Sequence, residues 1–288
     1  MMGLSELKSR ARPMLAGLAL AFPALASAAT YFSDGLEGYA SAAEAITKGP
    51  WQALDQSGGT VSTSKNYAHS GTQSLRICYG ANEAQAYLEI PLPRLNHVFF
   101  RWWELRERKG DFSGALDYDW SGEKFNRLRS ADIGSSGVDY PLGWQAAGGG
   151  FGSPGVTDSG PIVMFGNSTA SNGADHFTTN YSMKRGEWHM FELELNLGTQ
   201  GSSNGATRLW IDDRLVAERT NLMLLPKSNA TIDKIWVGGW YSGASPANNS
   251  CRYVDDIVVA SSKIGGTVTS PPPTQAKTPS APSTVEAR

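Results

Sequence analysis

Lys124-Phe125-Asn126-Arg127-Leu128-Arg129 is the densest run of polar side chains capable of chemistry. If the run is a strand, alternation puts Lys124 and Asn126 on one face and Arg127 and Arg129 on the other. Downstream, Asp175-His176-Phe177-Thr178-Thr179-Asn180-Tyr181 offers an imidazole and a phenol in a loop entering a strand. These types suit elimination beside a carboxylate. A cation or amide neutralises the carboxylate while an adjacent carbon loses its proton. A base takes that proton, and an acid protonates the departing oxygen. Lys124 and Arg127 are candidates for the first role, with Asn126 as a binding group, and His176 and Tyr181 for the proton transfers. Arg101, between Phe100 and Trp102, either binds a carboxylate or pairs with an acid such as Glu104. Gln145 follows Trp144 beside the glycine-rich Gly148-Gly149-Gly150-Phe151-Gly152, an aromatic–polar pair suited to a ligand. Trp240 and Tyr241 close a strand before Ser242-Gly243. A ring there can stack on a sugar, whose C–H face packs on aromatic surface while its hydroxyls stay wet. Adjacent strand residues point to opposite faces, so at most one of the two meets a ligand. Glu192 and Glu194 share a strand face and are a superficial match to a hydrolase pair, which needs two carboxylates flanking the bond.

The elements that must hold these groups are strands. Short alternating runs recur at Ser74–Tyr79, Ala86–Ile90, His97–Leu105, Trp188–Leu197, Leu209–Val216, Ile235–Tyr241 and Tyr253–Val259, separated by clusters of Gly, Asn, Ser and Pro. That pattern predicts a sandwich or barrel. A hairpin turn is expected at Asp212-Asp213-Arg214, and a turn of helix over 40–46. The fold class is therefore all-β, an antiparallel two-sheet jelly-roll sandwich. Residues 106–187 contain long glycine-rich stretches, and loops of that length usually carry function.

Lys8, Arg10 and Arg12, then an apolar run from Met14 to Leu25, then Ala26-Ser27-Ala28, follow the order of a secretory signal peptide. Residues 1–28 are read as that leader, 29–264 as one domain, and 265–288, rich in Pro, Ser and Thr, as a disordered tail or a linker. The location is then secreted or periplasmic. The later chain has no apolar run of membrane-spanning length. With 25 basic and 27 acidic residues among 288, no basic nucleic-acid footprint is present. Thirty-two glycines, 9 Trp, 10 Tyr and 10 Phe suit a turn-rich β fold with an aromatic surface. Cys78 lies in an early strand and Cys251 just before the last strand, and early and late strands are often neighbours in a sandwich. In an oxidising compartment they are expected to form a disulfide, the alternative being two buried thiols.

Tyr31-Phe32-Ser33-Asp34-Gly35-Leu36-Glu37 and His69-Ser70-Gly71-Thr72-Gln73-Ser74-Leu75-Arg76 resemble the opening of concanavalin A-like jelly rolls. Gly186-Glu187-Trp188-His189 and Leu209-Trp210-Ile211-Asp212 resemble laminin-G-like and lyase-type members. Gly238-Gly239-Trp240-Tyr241-Ser242-Gly243 with Tyr253-Val254-Asp255-Asp256-Ile257-Val258-Val259 is similar to the end of polysaccharide lyases of the heparin-lyase-I-like and alginate-lyase-like kind. The Gln-Ile-His or Gln-Val-His motif of one alginate-lyase family is not evident. The resemblance implies a structural calcium ion near the first and last strands, with Asp34, Glu37 and Asp256 as its ligands; the chemistry itself requires no cofactor. It also implies a lyase acting on a uronate-containing, anionic polysaccharide. A non-catalytic carbohydrate-binding module is the alternative, and a glycoside hydrolase the third reading.

Overall fold

The computed structural model describes residues 28–79, 84–106, 123–129, 139–144, 162–165, 176–178, 186–225, 231–241 and 250–266. The chain runs β1 (Thr30–Asp34), α1 (Ala42–Lys48), β2 (Ala53–Asp55), β3 (Gly59–Ser64), β4 (Ser74–Tyr79), β5 (Ala84–Leu95), β6 (His97–Arg106), β7 (Glu123–Arg129) and β8 (Asp139–Trp144). It continues through β9 (Ile162–Phe165), β10 (His176–Thr178), β11 (Trp188–Asn196), β12 (Gly205–Ile211), β13 (Arg214–Leu222), β14 (Ile232–Tyr241) and β15 (Ser250–Ala260). Two antiparallel sheets result. Sheet A has the order β13-β12-β11-β6-β15-β4-β3, with β1 also on β15; sheet B has the order β10-β9-β8-β7-β14-β5-β2. This is the expected two-sheet sandwich.

Alternation explains the layers. In β6 Val98, Phe100 and Trp102 enter the core, as do Phe191, Leu193 and Leu195 of β11. Ala86, Leu88 and Ile90 of β5 and Ile235 and Val237 of β14 meet them from sheet B. The intervening residues therefore form an outer face on each sheet. The β12–β13 turn is tighter than the three residues expected: Asp212 and Asp213 alone make it, both at positive φ (51° and 62°). That is the two-residue geometry matching strand twist, and Asp is among the side chains that tolerate it. The helix is α1, displaced slightly from 40–46. Ser41 Oγ accepts from Glu44 N while Glu44 Oε2 accepts from Ala40 N, so the two ends cap each other.

Cys78 and Cys251 face each other across the β4–β15 ladder and are bonded. Cys251 lies within β15 rather than before it. Gly265 and Gly266, assigned by composition to the tail, instead lie against sheet A, as described below. The leader up to residue 27 and the tail from residue 267 lie outside the described residues.

Candidate functional site

Two outer faces carry charged and aromatic groups. On sheet A the chain's own segments take them up. Residues 263–266 cross β6, β11 and β12. Ile264 N and Gly265 N donate to the two oxygens of Glu192 (2.5 and 2.9 Å), and Gly266 N donates to Asp213 (3.0 Å). Arg101 Nη1 donates to Gly265 O (2.9 Å), and Lys263 Nζ lies 5.0 Å from the centroid of the Trp210 ring. Glu194 is paired with Arg208 (2.8 Å) and His97 (2.9 Å). The loop before β4 covers the same sheet. His69 stacks on Trp103 (3.7 Å between centroids) and pairs with Asp256 (2.5 Å), to which Ser70 Oγ also donates (2.6 Å). The amides of His69, Ser70 and Asp256 donate to the buried Asp255. Burial and then the charge of Asp256 push the Asp255 carboxyl up to about 8, against those three amides. Burial would raise Asp256 too, but the bonds from His69 and Ser70 outweigh it and hold that carboxyl low.

Two expectations are corrected here. Arg101 is on sheet A beneath the 263–266 segment, near Asp256, Glu192 and Asp213, and so on the opposite sheet from Lys124. Glu192 and Glu194 are buried and engaged, so they do not flank a ligand. The implied calcium ligands do not form one set. Asp34 accepts from Trp51 Nε1, Tyr39 Oη and Leu36 N, and Glu37 accepts from Thr72 N, Thr72 Oγ1 and Gln73 N. Among the described residues no three His, Cys, Asp or Glu groups gather to hold a metal ion. The two opening motifs, at 31–37 and 69–76, thus act as a clasp between chain segments.

Sheet B differs. Its outer face carries a pillar of stacked groups. Tyr87 of β5 and Trp236 of β14 lie 3.9 Å apart at 9°, and the guanidinium of Arg129 from β7 sits 3.7 Å over the Trp236 ring. Trp236 Nε1 donates to Glu89 (2.8 Å), whose carboxylate also meets Lys234 (3.7 Å). Burial first, then Asp55 and Glu89, push the Tyr87 phenol up to about 12, so it remains a hydrogen-bond donor and not a base. Sequence reading missed this pillar, although Trp236 between the core residues Ile235 and Val237 was a signal that an aromatic ring faces outward.

Strand β7 is irregular. Against β14, Val237 and Gly238 stand opposite Asn126 alone, between the pairs Trp236↔Arg127 and Gly239↔Phe125. Against β8, Asn126 and Arg127 stand opposite Pro141 alone, which has no N–H to offer. This double bulge overrides the alternation read from the sequence. Arg127 pairs with Trp236 and Arg129 with Lys234, while Lys124 pairs with Trp240, itself opposite Gln85. Trp236, Lys234 and Gln85 hold the non-core positions of their strands, so the three basic residues of β7 share the rows of one face. Asn126, expected to bind substrate, is fully buried between the sheets. Tyr241 falls in the other set of rows, opposite Ala84 and Glu123. His176 is in β10, opposite Phe165 of β9. Strands β8 and β9 separate it from β7, a spacing of about 14 Å between backbones. Gln145 and Tyr181 lie outside the described residues.

No protein-family model matches the chain, and no curated protein matches it in sequence. Solved structures do match in fold. The endo-β-1,4-glucuronan lyase of the fungus Trichoderma reesei aligns at a TM-score of 0.57 and 12% identity, over 82% of this chain and 96% of the lyase. Alginate lyase vAL-1 from Chlorella virus aligns at 0.56 and 11%, over 81% and 99%. The cellulose-induced protein Cip1 aligns at 0.52 and 19%, also over 81% and 99%. The architecture is a two-sheet jelly roll, a fold shared with these two lyases and with Cip1.

Proposed function

We propose that this chain is a secreted polysaccharide lyase that cleaves a uronate-containing glycan by β-elimination. The observation that carries the reading is the strand register that puts Lys124, Arg127 and Arg129 in the rows of Trp240, Trp236 and Lys234, beside the Tyr87–Trp236 stack. The glucuronan and alginate lyases of like fold support it. Lys124 and Arg127 neutralise the substrate carboxylate and so stabilise the charge that builds as the C5–H bond breaks. Tyr181, or His176 reaching in from β10 three strands away, takes that proton. The C5–H electron pair becomes the C4–C5 double bond, the C4–O4 bond breaks, and the leaving O4 receives a proton from the second group. Trp240, in the row of Lys124, stacks on a sugar ring. Export is supported by the leader-like N-terminus and by the Cys78–Cys251 bond, which suits an oxidising compartment. Among the described residues no helix is long and apolar enough to cross a membrane.

A second reading, a carbohydrate-binding module without catalysis, is favoured by the likeness to Cip1, whose name carries no bond-cleaving activity, and by the aromatic stack itself. The test incubates the mature protein with alginate, glucuronan, heparin and hyaluronan and follows the ultraviolet absorbance of the new double bond. The lyase predicts a rise on one polyuronate that Lys124→Ala and His176→Ala each lower about 10²-fold or more. No rise, with retardation on a glycan in affinity gels, selects the binding module.

A further inference from the structure

We infer that Asn126 is a positioning residue: through Gly238 and Arg252 it holds the β7 bulge that brings Lys124, Arg127 and Arg129 to one face, an anionic-sugar surface. The inference rests on the lyase reading for its activity readout but not for its structural one.

Asn126 has φ +48°, in the left-handed region where Asn is among the tolerated non-glycine residues. Its Oδ1 accepts from Gly238 N (3.0 Å) and from Arg252 Nη2 (3.2 Å). Two donors converge on that atom, so it must be the amide oxygen. Gly238 is at φ +110°, and a side chain there would run into the backbone of Ala86 and Tyr87. The residue facing Asn126 across the bulge is therefore restricted to glycine. Arg252 reaches from sheet A and is itself held by Glu104 (3.1 Å), which also accepts from Arg106 Nε (2.7 Å) and Trp102 Nε1 (3.0 Å). Every side chain in this group is buried. Buried polar groups are costly unless bonded, so a conformation that loses the Asn126 acceptor strands Gly238 N and weakens the seat of Arg252.

The consequence is geometric. In a regular strand Lys124 and Arg127 occupy opposite faces, because their spacing is odd. The register break at Asn126 puts both in the outward rows of β14. The anchor that fixes this lies in the interior and touches no substrate.

The experiment compares Asn126→Gly, Asn126→Leu and Asn126→Asp. Glycine keeps access to positive φ but removes the acceptor; leucine removes both; aspartate keeps both and pairs with Arg252. Amide exchange at Gly238 is expected to quicken about fivefold or more in Asn126→Gly and Asn126→Leu, and to return towards wild type in Asn126→Asp. On the polyuronate that wild type cleaves, kcat/KM is expected to fall about 10²-fold in Asn126→Leu, chiefly in kcat, with Asn126→Asp rescuing it. Unchanged Gly238 exchange in Asn126→Gly overturns the anchor. Faster exchange with full activity in Asn126→Gly overturns the positioning role. If wild type cleaves nothing, the lyase reading fails, and the exchange series still decides on the anchor. If Asn126→Leu does not fold, the glycine–aspartate pair decides both points.

Discussion

The outer faces of sheets A and B hold similar inventories of acids, bases and rings, but arrange them for different ends. On sheet A, Glu192 and Arg101 bond to residues 263–266, Asp255 and Asp256 to the loop at His69, and Glu194 to Arg208 and His97 of neighbouring strands. Their chemistry goes into closing the sandwich. On sheet B the register puts the basic residues of β7 in the rows of Trp236, Lys234 and Trp240, next to an aromatic stack. A cluster of titratable groups is therefore poor evidence of a site when backbone amides already occupy its lone pairs. A run of basic residues that a register break brings into the rows of one face, beside stacked rings, is better evidence.

The largest expected effect lies between the two faces. Glu104→Ala removes the shared partner of Arg106 and Arg252 in the interior and should lower stability by about 3–5 kcal/mol, seen as a lower denaturant midpoint. A loss under about 1 kcal/mol would show that the interior network contributes little. Next comes the contrast between arginines. Arg129→Ala should lower kcat/KM on a polyuronate about tenfold while shifting stability by about 1 kcal/mol or less. Arg101→Ala should do the reverse, costing about 1–3 kcal/mol of stability with kcat/KM within about twofold. Equal activity losses in both would erase the distinction between the faces.

A further test of sheet A is in pH. The folded-state carboxyl of Asp255 is raised to about 8 from 3.8. The folded protein thus binds its proton more tightly than the unfolded chain, and that stabilisation is full below about pH 4 and lost as pH rises towards 8. Asp256 runs the other way: it stabilises above its unfolded value of 3.8 and loses that contribution as pH falls. Asp255→Asn should flatten the decline between pH 4 and 8 in a series of urea midpoints. A decline as steep as in wild type would assign it to another group.

Much of the fold could be read from the residues. Period-two runs such as Phe191-Glu192-Leu193-Glu194-Leu195 select a strand and the side of it that enters the core, since alternation is a local property. The Asp212-Asp213 turn and the Ser41–Glu44 cap are likewise short-range, decided by side chains that tolerate positive φ or accept a nearby amide. The basic and aromatic types of the candidate site were also legible, whereas the outward ring of Trp236 was missed. Three things were not: that Arg101 belongs to the other sheet, that residues 263–266 take up Glu192, and that Lys124 and Arg127 share a face. Each depends on contacts between residues far apart in the chain. Asn126 shows why most plainly. Its neighbours in sequence specify a regular strand, and only Gly238 and Arg252, more than a hundred residues away, provide the two donors that stabilise the bulge.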